Sequence, residues 1–316
     1  MLFTIYLFVI FAVIVFNKLF VYFSKFIQNC KHHNESYYLN KTLIFMQNQQ
    51  ISVLGCGWLG LPLAKRLISK KFIVKGSSTT KTKKPVLIEA GIKPYLFKLG
   101  DNKREQYQKF LSGSQIIIIN FPPKRIPNIK SIYQEQIKDI LPHISLSQKV
   151  IFVSSTSVYQ DTNNWVTESI ETKPEKNSGK AILAVEELLK SKLKQNLTIL
   201  RLSGLVGYDR IPGKFLANKK EVSNGKAPVN IIHQDDCVGL ICAIIQKKCW
   251  GEIINGCADE HPSKEIFYTK AAKHANLTPP EFKISELSMF KKISNAKSKS
   301  ILNYSYKYPN PLALFD

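Results

Sequence analysis

The apolar residues of this chain fall into short continuous runs separated by stretches in which they recur every three or four positions, and the two patterns alternate. Ile51 to Leu54 is the first run, of the kind produced by a strand buried on both faces. It is followed by Leu59, Leu63, Leu67 and Ile68 at helical spacing, with Gly55-Cys56-Gly57-Trp58-Leu59-Gly60 at the junction. The order is strand, turn, helix. A second strand, Phe72 to Lys75, ends in Gly76-Ser77-Ser78-Thr79-Thr80, and a break at Lys83-Lys84-Pro85 leads to a helix beginning near Val86 with Gly91 as its stop signal. Gln115 to Asn120 predicts a central parallel strand that ends at Phe121-Pro122-Pro123. An amphipathic segment from Ile132 to Leu141, a buried run from Lys149 to Val153, a helical pattern from Ala181 to Leu189, a strand from Leu197 to Leu202 and a helix from Cys237 to Ile245 continue the alternation. Beyond Ile253-Ile254-Asn255 the pattern becomes short, polar and punctuated by proline.

Strands alternating with helices imply an α/β fold, a doubly wound parallel sheet of the Rossmann type, with a small C-terminal lobe. The nucleotide-binding domain is expected over 46–256 and the substrate lobe over 257–316, with the loop 204–228 contributing to it. Residues 1–45 form a hydrophobic extension with two readings. From Leu2 to Phe16 only Thr4 and Tyr6 interrupt the apolar run, which resumes at Leu19 after Asn17-Lys18 and so approaches the roughly 20 residues that a bilayer span needs. It lacks a preceding charge and a small-residue cleavage site, which disfavours a secretory signal. Lys18, Lys25, Lys31 and Lys41 follow the run, placing the next domain in the cytoplasm, tethered to the membrane. Alternatively, Met46 stands a natural lead-in ahead of Ile51, and the extension is upstream sequence read in frame.

A chain of 316 residues with 44% hydrophobic side chains is neither disordered nor fibrous. Its six cysteines contain no C-x-x-C pair, so they read as reduced, with no metal site. The formal charge of +22 invites a nucleic-acid partner, but only five of the 45 basic residues are arginines and no basic helix or aromatic-basic motif accompanies them. A small-molecule substrate is expected instead, with no nucleic acid; the oligomeric state is not legible.

The glycine turn carries the chemistry. Gly55 makes the tight turn, Gly57 lets backbone amides reach a pyrophosphate, and Gly60 permits close packing of helix on sheet. Trp58 and Leu59 supply further amides at the helix N-terminus, where negative charge is favoured. An NAD-selective site would place a carboxylate after the second strand, whereas this chain has Ser77, Ser78, Thr79 and Lys81, with Lys83 and Lys84 beyond. Hydroxyl and ammonium groups accept a 2′-phosphate, so NADP is expected in preference to NAD. Asn120, Phe121 and Pro122, at the end of a central strand, are expected to touch the cofactor.

Val153-Ser154-Ser155-Thr156-Ser157-Val158-Tyr159 resembles the strand-end signature of the extended short-chain dehydrogenases/reductases. Leu200 to Gly207 is similar to that family's strand-to-loop segment, and Val229 to Asp236 to its returning strand with His233 and an aspartate. Together with Asn177-Ser178-Gly179, Ala258 to Pro262, Ile266-Phe267-Tyr268 and Tyr308-Pro309-Asn310-Pro311, these segments look closest to the atypical YeeZ-like NAD(P)-dependent epimerases/dehydratases, over Met46 to the C-terminus. The resemblance implies a serine that polarises the substrate, a tyrosine that transfers a proton, and a lysine four residues later that lowers the tyrosine pKa. Ser155 matches the serine; Ser178 falls where the tyrosine belongs and Ile182 where the lysine belongs. Ser178, and Lys180 if the helix starts late, are the remaining catalytic candidates. Tyr159, His233, His261 and Tyr268 are expected to be structural, and Asp236 to cap a helix. The leading expectation is an NADP-dependent oxidoreductase, epimerase or dehydratase with a non-standard proton donor. The alternative is a non-catalytic module that senses NADP or scaffolds a partner.

Overall fold

The computed structural model describes residues 49–101, 103–284 and 289–316. Residues 50–316 form one compact unit. The hydrophobic run within residues 1–45 and the start at Met46 lie outside the described residues; among those described, no helix is long and apolar enough to cross a membrane.

The strands in chain order are β1 (Gln50–Leu54), β2 (Ile73–Ser78), β3 (Lys93–Leu96), β4 (Ile116–Ile119), β5 (Lys149–Ser155), β6 (Asn164–Val166), β7 (Leu197–Leu202), β8 (Gly204–Val206), β9 (Ile231–His233), β10 (Ile253–Gly256) and β11 (Lys291–Ile293). The helices are α1 (Gly60–Ser69), α2 (Lys83–Glu89), α3 (Arg104–Leu111), α4 (Ile129–Ile140), α5 (Asn177–Leu193), α6 (Gly213–Leu216), α7 (Gln234–Lys247), α8 (Lys264–His274) and α9 (Ala296–Leu302). Seven strands make a wholly parallel sheet in the order β10-β7-β5-β4-β1-β2-β3. The chain order reverses between β1 and β4, which opens a crevice at their carboxyl ends.

The continuous isoleucines of β4 follow from this position. Ile117 and Ile119 enter the core shared with α3, α4 and α5, while strand alternation turns Ile116 and Ile118 to the other face; all four are buried. On that other face α1 packs with α7, burying Leu63, Leu67, Leu240 and Ile244. Two small parallel sheets, β8 with β9 and β6 with β11, stand apart from the main one. Val206, Val229, Ile231 and Phe267 make a satellite core over which Leu312, Leu314 and Phe315 pack.

Four elements differ from the sequence pattern, each for a local reason. The helix expected to begin near Val86 after a break begins at Lys83, because Pro85 is tolerated in a first turn, where its missing N–H has no intrahelical partner to lose. The second strand continues past Lys75 to Ser78, because Ser77 and Ser78 pair with Tyr95 and Leu96 of β3. Lys75, polar within an apolar run, is buried and donates to the carbonyls of Lys109 (2.9 Å) and Ser112 (2.8 Å) at the end of α3. Helix α5 begins at Asn177, ahead of its apolar stripe, and Gly179 allows its first turn to press on the Ser157 carbonyl, 2.5 Å from where a Cβ would stand. Strand β3 carries Pro94, which weakens its sequence signal and is tolerated because β3 is an edge strand.

Candidate functional site

The glycine turn sits at the β1–β4 crevice, and its three glycines do different work. Gly55 has φ +101°, and a Cβ there would stand 2.5 Å from the Asn120 carbonyl. At Gly60 a Cβ would collide with the Gly55 carbonyl. At Gly57 a Cβ would meet nothing within 4 Å. The first two glycines are therefore required by the protein's own packing, and the third leaves space that no protein atom fills.

The amides around that space are open. Gly55 N–H donates to Ser77 Oγ (2.9 Å) and Cys56 N–H to the Ser77 carbonyl (2.8 Å), so Ser77 shapes the turn. The N–H groups of Gly57, Trp58, Leu59 and Gly60 find no acceptor among the described residues, and α1 has no side-chain cap and no acidic residue in its first turn. Open space at Gly57 beside amides that have no acceptor among the described residues, at a helix N-terminus, fits a phosphate group.

Beside the turn runs a cleft of about 390 Å³ whose lining includes Gly55, Gly57, Ser77, Ser78, Thr79 and Lys83 on one flank and Asn120, Phe121, Pro122 and Lys124 on the other. Phe97, Lys98, Leu99 and Gln136 close its far end. Among the described residues no carboxylate lines it. Ser78 Oγ accepts from the Thr80 amide (3.1 Å), whereas Thr79 is exposed. Lys81 is exposed and outside the lining, where Lys83 takes part. Asn120 Nδ2 donates to the Gly55 carbonyl (3.2 Å), joining the ends of β1 and β4. A larger cleft of about 800 Å³ lies between α1, α7 and the 302–307 segment, lined by Lys65, Arg66, Lys70 and Lys247. It is on helix flanks away from the strand ends, so topology rather than volume selects the site.

Ser155 ends β5 next to this cleft's strand and caps the following turn, its Oγ accepting from the Ser157 amide (3.1 Å). The O–H hydrogen of Ser155 remains free to donate. Gly179, the neighbour of Ser178, packs on the Ser157 carbonyl, so the first turn of α5 lies beside this turn. Lys180 is not brought there: because the helix starts early rather than late, Lys180 lies about 200° around α5 from Ser178 and is exposed. Ile182, one turn beyond Ser178, is buried in the main core.

Behind Ser155 the buried polar groups bond to one another, with Asn255 Nδ2 left without a partner among the described residues. Arg201 donates through Nε (2.9 Å) and Nη2 (2.5 Å) to the two oxygens of Glu186, and both side chains are buried. Ser154 Oγ donates to Glu186 Oε1 (2.5 Å). Arg201 Nη1 donates to the Tyr159 hydroxyl (2.8 Å), which donates to Asn255 Oδ1 (2.9 Å). Burial holds the Tyr159 phenol above its usual pKa against the opposing pull of Arg201. Tyr159 is a neutral structural link. The sequence signal for Arg201 and Glu186 was present only as charged residues inside apolar runs.

Other residues also have structural duties. His233, rather than Asp236, is the N-cap of α7, its Nδ1 accepting from the Asp235 amide (3.2 Å). Asp236 instead anchors the C-terminal segment, accepting from the Lys307 amide (2.7 Å), the Tyr308 amide (3.0 Å) and the Tyr304 hydroxyl (2.9 Å). This corrects the capping role, since a carboxylate inside the first turn is free to reach across to another segment. His261 Nδ1 meets the Val229 carbonyl at 3.1 Å, and Tyr268 packs edge-on against Phe267. Cys56, Cys237, Cys242, Cys249 and Cys257 are free, and burial pushes the Cys56 and Cys257 thiols up to about 12.

No family model matches the chain. It is 31% identical over 271 residues to Protein YeeZ of Escherichia coli strain K12, covering 84% of this chain and 98% of that protein. Among solved structures, a Methylobacillus flagellatus protein assigned to the NAD-dependent epimerases/dehydratases is 23% identical with a TM-score of 0.65, over 84% of this chain and 95% of the other. The dTDP-glucose 4,6-dehydratase of Bacillus anthracis, solved in complex with NAD, is 15% identical with a TM-score of 0.69 over 84% and 95%. The chain belongs to the YeeZ family and has the Rossmann-like fold of the extended short-chain epimerases and dehydratases.

Proposed function

We propose that the protein is an NADP-dependent oxidoreductase, epimerase or dehydratase of the atypical extended short-chain type, acting on a small carbonyl or hydroxyl compound such as a sugar nucleotide. The observation that carries this reading is the open space at Gly57 beside four amides without an acceptor among the described residues, next to a cleft whose lining includes lysines and, among the described residues, no carboxylate. The turn would hold the pyrophosphate, and the cleft the adenosine half between Phe97, Leu99 and Phe121. Preference for NADP follows from Thr79, Thr80 and Lys83 at the mouth, which attract a 2′-phosphate. The NAD seen with the dTDP-glucose dehydratase supports a nicotinamide dinucleotide, and that enzyme's substrate supports the sugar-nucleotide class.

The bound dinucleotide would exchange a hydride with a substrate carbon. Ser155 would donate its O–H to the substrate oxygen while its own oxygen accepts from the Ser157 amide, which fixes the orientation of the hydroxyl. Ser178, in the first turn of α5 next to the Gly179 that packs on the Ser157 carbonyl, would relay the proton between that oxygen and solvent; Ile182 in the lysine position supplies no amine to lower a tyrosine pKa. The test is absorbance change of the reduced cofactor, in the band near roughly 340 nm, across a panel of sugar nucleotides and carbonyl compounds. Turnover lost in Ser155→Ala with cofactor affinity kept supports the reading. Tight cofactor binding without turnover on any compound opposes it.

A second reading, a cofactor-sensing or scaffold module without chemistry, is favoured by one observation: the buried Ile182 excludes a cation from the family's lysine position. Under it, Ser155→Ala leaves the cellular role intact while loss of the glycine turn abolishes it.

A further inference from the structure

Trp58 lies inside the glycine turn, yet it is not a core residue. It is fixed at both ends from a distant part of the chain: indole Nε1 donates to Asp209 Oδ1 (2.7 Å), and its carbonyl accepts from Gln234 Nε2 (2.7 Å). Asp209 belongs to a tight reversal in which Gly207 and Arg210 exchange backbone hydrogen bonds of 3.3 and 2.9 Å.

This reversal is built at a cost. Gly207 has φ +124°, and its missing side chain admits the His233 ring, whose Nε2 lies 2.5 Å from where a Cβ would stand. Tyr208 has φ +49°, a left-handed conformation that a bulky side chain rarely takes. Its hydroxyl donates to Asp235 Oδ1 (2.9 Å), and Lys307 holds the other oxygen of Asp235 (2.5 Å). Strain of this kind persists only where the surroundings enforce it, and it concentrates at ligand clamps.

What the reversal presents is Arg210. Its guanidinium lies 5.3 Å from the centre of the Trp58 ring, exposed, with no ion pair and no side-chain hydrogen bond among the described residues. The neighbouring Asp209 carboxylate accepts the indole N–H through Oδ1 and makes no ion pair with Arg210. The choice of residue is informative in a chain with only five arginines among 45 basic residues. Arg201 uses its planar fork on Glu186; Arg210 stacks on an aromatic face and keeps its fork free.

We propose that Arg210 is an anion clamp: held over Trp58, it closes bidentately on a phosphate group lying across the glycine turn. The inference rests on the dinucleotide reading above and adds a residue to it from outside the nucleotide turn. One chemistry has two sources, the pyrophosphate of the cofactor or the diphosphate of a nucleotide-linked substrate, and the commitment is to the shared diphosphate. Trp58 then serves two ends of one device, its amide toward the phosphate and its ring beneath the arginine. The substrate-side segment and the cofactor turn are joined through it.

The test is calorimetric titration of the full chain and of Arg210→Gln with NADPH, with ADP-ribose and with UDP-glucose. Arg210 is exposed, so the variant is expected to keep the wild-type melting temperature. Loss of one charge-assisted bidentate contact weakens binding by roughly 10- to 100-fold. If NADPH and ADP-ribose weaken equally, the clamp holds the cofactor pyrophosphate. If both are unmoved and UDP-glucose weakens, it holds the substrate diphosphate. Trp58→Phe, which keeps a ring and loses the bond to Asp209, is expected to give a smaller loss of the same ligand. Wild-type affinity for all three ligands in Arg210→Gln overturns the proposal alone; a wild-type chain that binds no dinucleotide overturns the cofactor reading together with it.

Discussion

The glycine turn and the 155–159 turn stand at the carboxyl ends of neighbouring parts of one sheet, and they treat their polar groups in opposite ways. Around Gly57 the amides have no acceptor among the described residues, and a Cβ at Gly57 would meet open space. Behind Ser155, Ser154, Glu186, Arg201, Tyr159 and Asn255 form a chain of hydrogen bonds, buried from water and closed except at Asn255 Nδ2, which has no partner among the described residues. A buried polar group without a partner is costly, so the closed chain reports what folding needs. Open donors at a surface hollow cost little and report what a ligand needs. The contrast predicts that substitutions in the two turns fail in different currencies, one in stability and the other in affinity.

The largest effect is expected in the closed network. Glu186→Gln leaves the Arg201 charge buried and unpaired, which should lower unfolding free energy by about 3–5 kcal/mol, measured by urea denaturation. A loss under about 1 kcal/mol would mean that the network is wet, and the contrast would fail. Within the glycine turn the packing differs residue by residue. Gly60→Ala forces a methyl into the Gly55 carbonyl and should cost about 1–3 kcal/mol, whereas Gly57→Ala should stay within about 0.5 kcal/mol of wild type. Equal destabilisation by both would show that the Gly57 hollow is not free space.

Smaller effects follow from single charges. Burial holds His233 and His261 below the ordinary histidine pKa of 6.5; toward His233 the carboxylates of Asp235 and Asp236 push upward and Lys307 downward, and burial prevails. Above that value both folded and unfolded states are neutral and stability is full. As pH falls below it, the unfolded chain takes up protons that the folded chain refuses, so stability drops. Urea midpoints that stay level from about pH 7 to about pH 5 would contradict the burial of these rings. The smallest effect is on cofactor choice: Lys83→Gln should reduce the preference for NADPH over NADH by about fivefold or less, one exposed charge being worth at most roughly 1 kcal/mol, read as the ratio of two dissociation constants.

How much of this was legible in the sequence depended on whether a residue's role was local. The strands and glycine turn declared themselves, because a buried parallel strand is continuously apolar and a phosphate turn is contiguous. The start of α5 did not, since Asn177-Ser178-Gly179-Lys180 is polar and its glycine is explained only by a carbonyl 22 residues upstream, that of Ser157. Lys180 consequently entered as a catalytic candidate and sits on the opposite side of the helix. Edge strand β3 was hidden by Pro94, and Phe97, Lys98 and Leu99, which close the cleft, went with it. Asp236 gave a good capping signal at the right helix, but its partners, Tyr304, Lys307 and Tyr308, lie some 70 residues away. The Trp58–Asp209 bond spans 151 positions, a pairing no local pattern contains.

The central claim is that the hollow at Gly57 belongs to a dinucleotide phosphate. Titration of NADPH into the wild-type chain and into Gly57→Asp, at matched melting temperature, tests it most directly. A carboxylate placed in empty space should leave folding intact while repelling the phosphate and blocking its amides, so affinity should fall by at least about 100-fold. Equal affinity in the two proteins would place the cofactor elsewhere and contradict the account.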